Sequence, residues 1–210
     1  MENMTGLISS VREGKLEESV ALVESAIKNN VPPQVIINDY LVKGMQEVGN
    51  LYEEGKAFIP NLLLAARAMK GCLALLRPLL KDNSDVTIGR LVIGTVKGDL
   101  HDIGKNLVAS MLEGCGFEVI NLGVDISDEQ FVAAVEEYHP QIVCLSALLT
   151  TTMTYMKNII DALENHGLRE KVKVLVGGAP VTEEFARKIG ADGYSSNANE
   201  AVWLAKSVLS

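Results

Sequence analysis

The stretch LVIGTVKGDLHDIGKN, residues 91–106, joins an uninterrupted apolar run to a loop rich in glycine and charged residues. The run Leu91–Val96 is short and partly β-branched, as in a strand that is buried on both faces. We predict four further strands, at Glu118–Leu122, Ile142–Ser146, Val174–Val176 and Gly193–Ser195. Helix-period segments separate them, near residues 103–115, 128–138, 153–165 and 182–189, with a last helix from Asn199. This alternation predicts an α/β doubly wound fold with a parallel five-stranded sheet that is covered on both faces.

The N-terminal part of the chain has a different pattern, with apolar residues at helical spacing and no convincing strand. Prolines at positions 33 and 60 can each open a helix, because proline fits the first helical turn. We therefore predict an all-α four-helix bundle with helices near residues 6–12, 16–29, 33–54 and 60–80. The polar segment Lys81–Asp85 has the composition of a short linker. It divides the chain into a helical domain, residues 1–84, and an α/β domain, residues 85–210.

Composition and charge exclude several classes of protein. A formal net charge of −8 without any basic stretch predicts no nucleic-acid partner. The polar start of the chain lacks the positive region of a signal peptide, and no apolar run approaches the roughly 20 residues that span a bilayer. We therefore expect a cytoplasmic protein without a membrane partner. The cysteines Cys72, Cys115 and Cys144 share no metal-ligand spacing and are predicted to be buried thiols.

The loop Gly98–Asn106 follows the first predicted strand, and parallel sheets bind ligands at the carboxyl ends of their strands. His101 lies two residues after Asp99 in this loop. The pair suits metal ligation, because one imidazole nitrogen can bind a metal while a carboxylate orients the other nitrogen. Taken alone, His101 can equally cap a helix or satisfy a hydrogen bond of the loop.

The same loop resembles the Asp-x-His-x-x-Gly signature of cobalamin-binding domains in methionine synthase and in the corrinoid proteins of methyltransferase systems. Two later elements follow in the same order: Ser146–Leu148 is similar to Ser-x-Leu, and Gly177-Gly178 is similar to Gly-Gly. The segment Gly49–Pro60 resembles the helical cap domain of that family. The resemblance covers nearly the whole chain and implies a Rossmann- or flavodoxin-like cobalamin-binding domain preceded by a helical cap.

This resemblance implies a cofactor, methylcobalamin or a related corrinoid, and a set of residues that hold it. His101 would be the lower axial ligand of cobalt, with Asp99 on its other ring nitrogen and Thr152 in place of the family's serine. The remaining implied contacts come from the loop, from the strand ends beside the benzimidazole tail and from the cap, at Gly98, Leu100, Asp102, Ile103, Gly104, Ser146, Leu148, Thr150, Gly177, Gly178, Tyr52 and Ile59.

Plainer interpretations exist for several of these residues. Gly177-Gly178 can form an ordinary strand-to-helix turn, and Ser146 can be a polar strand terminus. Tyr52 and Ile59 have the character of core residues in a helical bundle. The added methyl of Thr152 leaves open whether its hydroxyl reaches the Asp99 carboxylate.

The resemblance implies a methyl carrier that serves a donor-specific and an acceptor methyltransferase, with a reductive activase as a third partner. Such a chain is a carrier subunit of an enzyme system, and methylamines, methanol, betaines or aryl methyl ethers would be handled by its partners. Tetrahydrofolate and coenzyme M are the possible acceptors. An adenosylcobalamin mutase subunit would share the histidine loop but bring a substrate barrel. A cobalamin-dependent sensor would add a DNA-binding helix-turn-helix.

Overall fold

The computed structural model describes residues 4–79 and 87–209, which form two compact units. The described residues up to Thr87 and the segment Ser110–Gly116 form the helical unit. Ile88–Ala109 and the residues from Phe117 onward form the α/β unit. The predicted linker Lys81–Asp85 and the predicted boundary between residues 84 and 85 lie outside the described residues, so the domain boundary stays a prediction.

The helical unit begins with α1 (Met4–Arg12) and α2 (Leu16–Lys28). A third helical stretch consists of α3 (Pro33–Val35), a π-helical segment (Ile36–Leu41) and α4 (Val42–Glu53). It is followed by α5 (Ile59–Leu76) and a 3-10 turn (Arg77–Leu79). The predicted helical character of this part is confirmed, with Pro33 in the first turn of α3. The π-helical segment is not visible in the apolar spacing, which predicted one regular helix over residues 33–54.

Apolar side chains from each long helix form the core of this unit, and the largest fully buried ones include Leu7, Leu41, Leu62 and Met69. Gly44 allows α1 and α4 to approach closely, because a Cβ atom there would lie 2.8 Å from the Val11 Cβ. Real Cβ atoms do not approach other atoms so closely, so this glycine is required by packing.

The length and apolar composition of helix α5 depart from the expectation that no segment could cross a membrane. Among the described residues it is the one helix that meets this criterion by length and composition. Within the structure 44% of it is buried, and core helices of soluble proteins meet the same criterion.

The α/β unit contains a parallel sheet of five strands in the order β2-β1-β3-β4-β5. The strands are β1 (Arg90–Val96), β2 (Glu118–Ile126), β3 (Ile142–Ser146), β4 (Lys173–Gly177) and β5 (Gly193–Ser195). Successive residues of β1, β3 and β4 are buried, which requires cover on both faces. The strand order reverses between β1 and β3, where doubly wound sheets bind ligands. The predicted five-stranded parallel sheet is confirmed.

Helices alternate with these strands, as α6 (Ile103–Gly114), α7 (Asp128–Tyr138), α8 (Tyr155–Asn165), α9 (Glu183–Ile189) and α10 (Ala198–Ser207). Local sequence explains several of their ends. Ser127 and Gln130 form a capping box at the start of α7, and Asn197 caps α10. Phe131 and Ile159 of the flanking helices pack with Val143 in one contiguous core.

Strand β2 differs from the prediction, which gave a buried strand that ends at Leu122. It continues to Ile126, lies at the edge of the sheet and is mostly half-buried. Its pairing with β1 shifts twice, because Ile93 pairs with Asn121, Gly94 with Gly123 and Val96 with Ile126. The prediction rested on the short apolar run that ends at Leu122, whereas the strand continues past that run through the two register shifts.

The three cysteines are buried, as predicted. Burial raises the pKa of the Cys72 thiol and of the Cys144 thiol to about 12. Both thiols are therefore protonated at neutral pH and behave as small apolar side chains.

Candidate functional site

Small and polar residues form a row across the carboxyl edge of the sheet. Thr95 pairs with Ser146, Ser146 with Gly177, and Gly177 with Ser195, so the row crosses four neighbouring strands. The loops that follow β1 and β3 come together at this edge, because both contact the same buried carboxylate, that of Asp99.

The Asp99 side chain is fully buried and accepts hydrogen bonds at both oxygens. One oxygen, Oδ2, accepts from the Leu148 amide at 2.7 Å, the Thr152 hydroxyl at 2.7 Å and the Leu149 amide at 3.3 Å. The other, Oδ1, lies 3.0 Å from the His101 amide and 2.7 Å from His101 Nδ1. Burial by itself would raise the pKa of Asp99, but these hydrogen bonds together hold it well below its usual range. Asp99 is therefore ionised at neutral pH.

His101 is fixed at its backbone and at one ring nitrogen, while its side chain remains 51% exposed. The buried Thr95 hydroxyl donates to the His101 carbonyl oxygen at 2.9 Å. With Nδ1 on the ionised Asp99 carboxylate, Nε2 is the nitrogen left to bind a metal. Within residues 4–79 and 87–209, no group of three or more His, Cys, Asp or Glu side chains could hold a metal ion. A single axial histidine is typical of a metal whose other ligands come from a macrocycle.

The surroundings of His101 are apolar and open. The side chains of Leu100 and Ile103 are 71% and 87% exposed, and Leu148 and Leu149 of the neighbouring loop are also exposed. Gly104 lies in α6 and has open space where a Cβ atom would be. Nothing in the described residues explains a glycine at this position. An exposed apolar rim around an oriented imidazole fits a large cofactor with a flat, mainly apolar ring system.

Thr152 is buried, and its hydroxyl makes the short contact with Asp99 that the resemblance implies for the family's serine. Its extra methyl lies 3.6 Å from the point where a Gly98 Cβ would be. This is an ordinary van der Waals distance, so the methyl fits beside Gly98 while the hydroxyl keeps its contact with Asp99. The threonine is therefore compatible with the arrangement of His101, Asp99 and a hydroxyl that the resemblance implies.

The other predicted residues of the α/β unit have different surroundings. Ser146 is half-buried and Thr150 is exposed. The Asp102 carboxylate accepts from the side-chain amide of Asn106 at 2.9 Å. A Cβ atom on Gly178, which has φ +129, would lie 1.8 Å from the Ala147 carbonyl oxygen, so the backbone alone requires glycine there. A Cβ atom on Gly177 would lie 3.3 Å from the Ser195 carbonyl oxygen.

Tyr52 and Ile59 belong to the helical unit. Tyr52 is half-buried in α4, whereas Ile59, the first residue of α5, is 44% exposed. Phe58, which precedes it, is 68% exposed, and Leu63 and Leu64 of the same helix are also exposed. Ile59 is therefore part of an exposed apolar surface, and the plain interpretation as a core residue is wrong for it.

Three polar residues near the loop were missed by sequence reasoning. Thr95 holds the His101 carbonyl, and Asp125 contacts Gly98 and Asp99. The Lys105 side chain is buried and donates to Asn106 and Asn121, both at 2.7 Å. Burial lowers the pKa of Lys105, although the nearby Asp102 carboxylate acts in the opposite direction. The sequence offered a sign of Thr95, because a hydroxyl residue lies near the end of an otherwise apolar strand. It offered no sign of Asp125, because β2 was expected to end before that residue.

An open cavity of about 460 Å³ lies at the opposite end of β4. Its lining includes Lys157, Arg169 and Asp192 and none of the predicted site residues. Arg169 and Asp192 form an ion pair at 2.8 Å there. The cavity is therefore separate from the candidate site.

Both parts of the chain are similar to known proteins. Two family models, both described as a B12 binding domain, match residues 4–77 and 89–203. Dimethylamine corrinoid protein 1 of Methanosarcina acetivorans is 44% identical, over 99% of this chain and 98% of its own length. Trimethylamine corrinoid protein 2 of Methanosarcina mazei is 42% identical, over 96% of this chain and 93% of its own length.

Two solved structures are also similar to this chain. A cobalamin-binding protein from Desulfitobacterium hafniense is 32% identical, with a TM-score of 0.84 over 99% of this chain and 98% of its own. A chain of the methanol:cobalamin methyltransferase complex from Methanosarcina barkeri is also 32% identical, with a TM-score of 0.82 over 97% of this chain and 78% of its own.

The fold and the oriented histidine thus define a cobalamin-binding protein. Within that class, the chain belongs to the corrinoid proteins of methyltransferase systems, since the similarity to them extends over its full length.

Two glycines of the site provide a matched pair of variants. Gly178→Ala should destabilise the cobalamin-free protein by on the order of 1–3 kcal/mol, because the added Cβ meets the Ala147 carbonyl at an unfavourable φ. Gly104→Ala should leave it unchanged or up to about 1 kcal/mol more stable, because alanine is the better helix former. Cobalamin titration should nevertheless show weaker binding for Gly104→Ala. Unchanged binding would mean that the cofactor does not approach Gly104.

The buried carboxylate of Asp99 is tested by Asp99→Asn in the cobalamin-free protein. An amide cannot accept at both ends, so donors on one side lose their partner and stability should fall by about 1.5–3 kcal/mol at neutral pH. The pKa of Asp99 is lowered from 3.8, so its contribution is fully present above that pH and is lost as the pH falls below it. Urea unfolding should therefore show a difference between wild type and variant that shrinks in acid. Asp102→Asn, which alters a half-buried carboxylate of the same loop, is the control and should change stability by less than about 1 kcal/mol.

Proposed function

We propose that this protein is a methyl-carrying corrinoid protein that binds cobalamin through His101 and passes a methyl group between two methyltransferases. The observation that carries the proposal is the half-exposed imidazole whose Nδ1 is held by the buried, ionised Asp99. The full-length similarity to methylamine corrinoid proteins supports the methyl-carrying role. When bound, cobalamin supplies a cobalt ion that accepts and releases the methyl group.

The chain's own residues prepare the histidine for this task. The Asp99 carboxylate can only accept hydrogen bonds, so it favours the proton on Nδ1 and leaves a lone pair on Nε2. Thr152 and the Leu148 amide keep the carboxylate in place and ionised. Thr95 holds the backbone of His101 at its carbonyl, and Asp99 holds the ring at Nδ1.

We further assign cofactor contacts to the exposed loop around His101 and to the row at the carboxyl edge. Gly98, Leu100, Asp102, Ile103 and Gly104 border the ligand from the loop. The benzimidazole tail would lie beside the strand ends and the β3 loop, with contacts from Ser146, Leu148, Thr150, Gly177 and Gly178. The small side chains at these strand ends support the assignment, since a bulky residue would occupy the path of the tail.

The helical unit is proposed to act as a four-helix bundle cap over the upper face of the cofactor. The exposed apolar surface at the start of α5, with Phe58 and Ile59 open to solvent, supports this role. Tyr52 and Ile59 would exclude water and oxidants from the reactive face.

The proposed partners are a donor-specific methyltransferase, an acceptor methyltransferase and a reductive activase. The relatives that carry methylamine names make a methylamine methyltransferase the first donor enzyme to test. The protein is proposed to work in the cytoplasm. Methyl-transfer assays should use purified donor enzymes for methylamines, with those for methanol, betaines and aryl methyl ethers as comparison.

The ligand role of His101 is tested by His101→Ala in protein loaded with cob(II)alamin. The wild type should show nitrogen hyperfine splitting from an imidazole in its electron paramagnetic resonance spectrum, and the variant should lose it completely. His166→Ala is the matched control. His166 is exposed at the end of α8, and its ring bonds the Ala162 carbonyl of the same helix. Retention in His101→Ala of a splitting that nitrogen-15 labelling of the histidines assigns to an imidazole, and not to the benzimidazole of the cofactor, would exclude this residue as the ligand.

The cap is tested by the double variant Tyr52→Ala with Ile59→Ala. If both side chains cover the bound cofactor, methylcobalamin in the variant should be photolysed faster than in wild type at full occupancy. The cobalamin-bound protein should also lose about 1.5–3 kcal/mol per side chain relative to the cobalamin-free protein. Val35→Ala, which shortens another exposed apolar side chain of the helical unit, is the control. Equal photolysis rates would show that other residues cover the cofactor.

A further inference from the structure

The end of strand β2 has an irregular backbone close to the histidine loop. Two register shifts against β1 bracket Gly123, and Asp125 has φ +57, in the left-handed region that side chains rarely adopt. Aspartate tolerates this region better than most residues, but glycine adopts it without strain. Outliers of this kind persist where surrounding contacts maintain them, and they often occur at functional sites.

Two hydrogen bonds accompany this conformation, and both join Asp125 to the loop that carries His101. The Asp125 carboxylate accepts from the Gly98 amide at 2.7 Å. The Asp125 amide donates to the Asp99 carbonyl at 3.1 Å. The left-handed backbone and the second bulge thus place one donor and one acceptor of the same residue against the start of the loop.

The far end of the loop is joined to the same strand by a second group of contacts. Lys105, in the first turn of α6, donates to the side-chain oxygen of Asn121 in β2, and Asn121 donates to Asn106 at 3.1 Å. Asn121 also accepts from the Gly123 amide at 3.1 Å, across the first register shift. Strand β2 therefore holds both ends of the segment that presents His101.

We infer that Asp125 is a positioning residue that orients His101 for cobalt, an inference that rests on the proposed function. Its carboxylate fixes Gly98 and its amide fixes Asp99, the residue that binds the His101 ring. Asp99 is then held at its side chain by the β3 loop and at its carbonyl by β2. A shift at either contact would move the carboxylate that sets the direction of the imidazole.

The test separates the carboxylate from the backbone conformation. Asp125→Gly removes the acceptor and relieves the left-handed strain, Asp125→Asn keeps an acceptor, and Asn30→Gly is the matched control. Asn30 also has φ +57, and it lies in the helical unit after α2. For each variant the stability of the cobalamin-free protein, the amide exchange of Gly98, the affinity for cob(II)alamin and the imidazole splitting are measured.

In Asp125→Gly the hydrogen of the Gly98 amide should exchange faster than in wild type. The variant should bind cob(II)alamin about three- to tenfold more weakly, and a smaller fraction of the bound cofactor should show imidazole splitting. Its cobalamin-free stability should not fall in parallel, because the relief of strain offsets the lost bond. Asp125→Asn should restore affinity and splitting, and Asn30→Gly should leave both unchanged. A purely structural role would instead change stability and leave the splitting intact.

The inference would be overturned if Asp125→Gly had the same affinity for cob(II)alamin, the same imidazole splitting and the same exchange rate of the Gly98 amide as the wild type. A wild-type protein without imidazole splitting would contradict the proposed function instead, and the exchange rate of Gly98 would then decide whether Asp125 holds the loop.

Discussion

The site depends on one buried carboxylate. Asp99 is removed from water, which is costly for a charge, and the cost is offset by donors from the His101 ring, three backbone amides and the Thr152 hydroxyl. These donors come from the loops after β1 and β3, on the two sides of the point where the strand order reverses. The same charge that binds the loops together also selects which nitrogen of His101 is free. Local stability and ligand chemistry therefore share one interaction.

The glycines of the site show how a structural requirement is distinguished from a functional one. Gly178 faces the Ala147 carbonyl so closely that no side chain fits. Gly104 meets nothing in the described residues and lies in a helix, where glycine weakens the fold. A residue that is unfavourable for the fold and unexplained by packing points to a ligand beside it. The exposed side chains of Leu100 and Ile103 lead to the same conclusion, because apolar surface of this kind is normally covered.

Strand β2 is the least regular element of the sheet, and its irregularity has a place in this arrangement. An edge strand has one free side, so bulges cost it fewer ladder bonds than they would cost a central strand. In β2 they turn Asn121 and Asp125 toward the two ends of the histidine loop. The central strands supply a buried frame, while the edge strand supplies polar contacts to the loop. The loop is thus supported from β3 on one side and from β2 on the other.

The sequence by itself determined the order of helices and strands, the parallel sheet and the Asp99–His101 pair, because these follow from apolar period and from neighbours in the chain. The strand predicted at Ile142–Ser146 has the bounds of β3, and the elements predicted near residues 128–138 and 193–195 are α7 and β5. Only the tertiary structure decided what lies far apart in sequence: that Thr152 reaches Asp99 across 53 positions, that Ile59 is exposed, and that β2 extends through two bulges to Asp125. Periodicity reports which face of an element is buried, but it carries no information about which distant polar groups share a hydrogen bond, and a bulge removes the period itself.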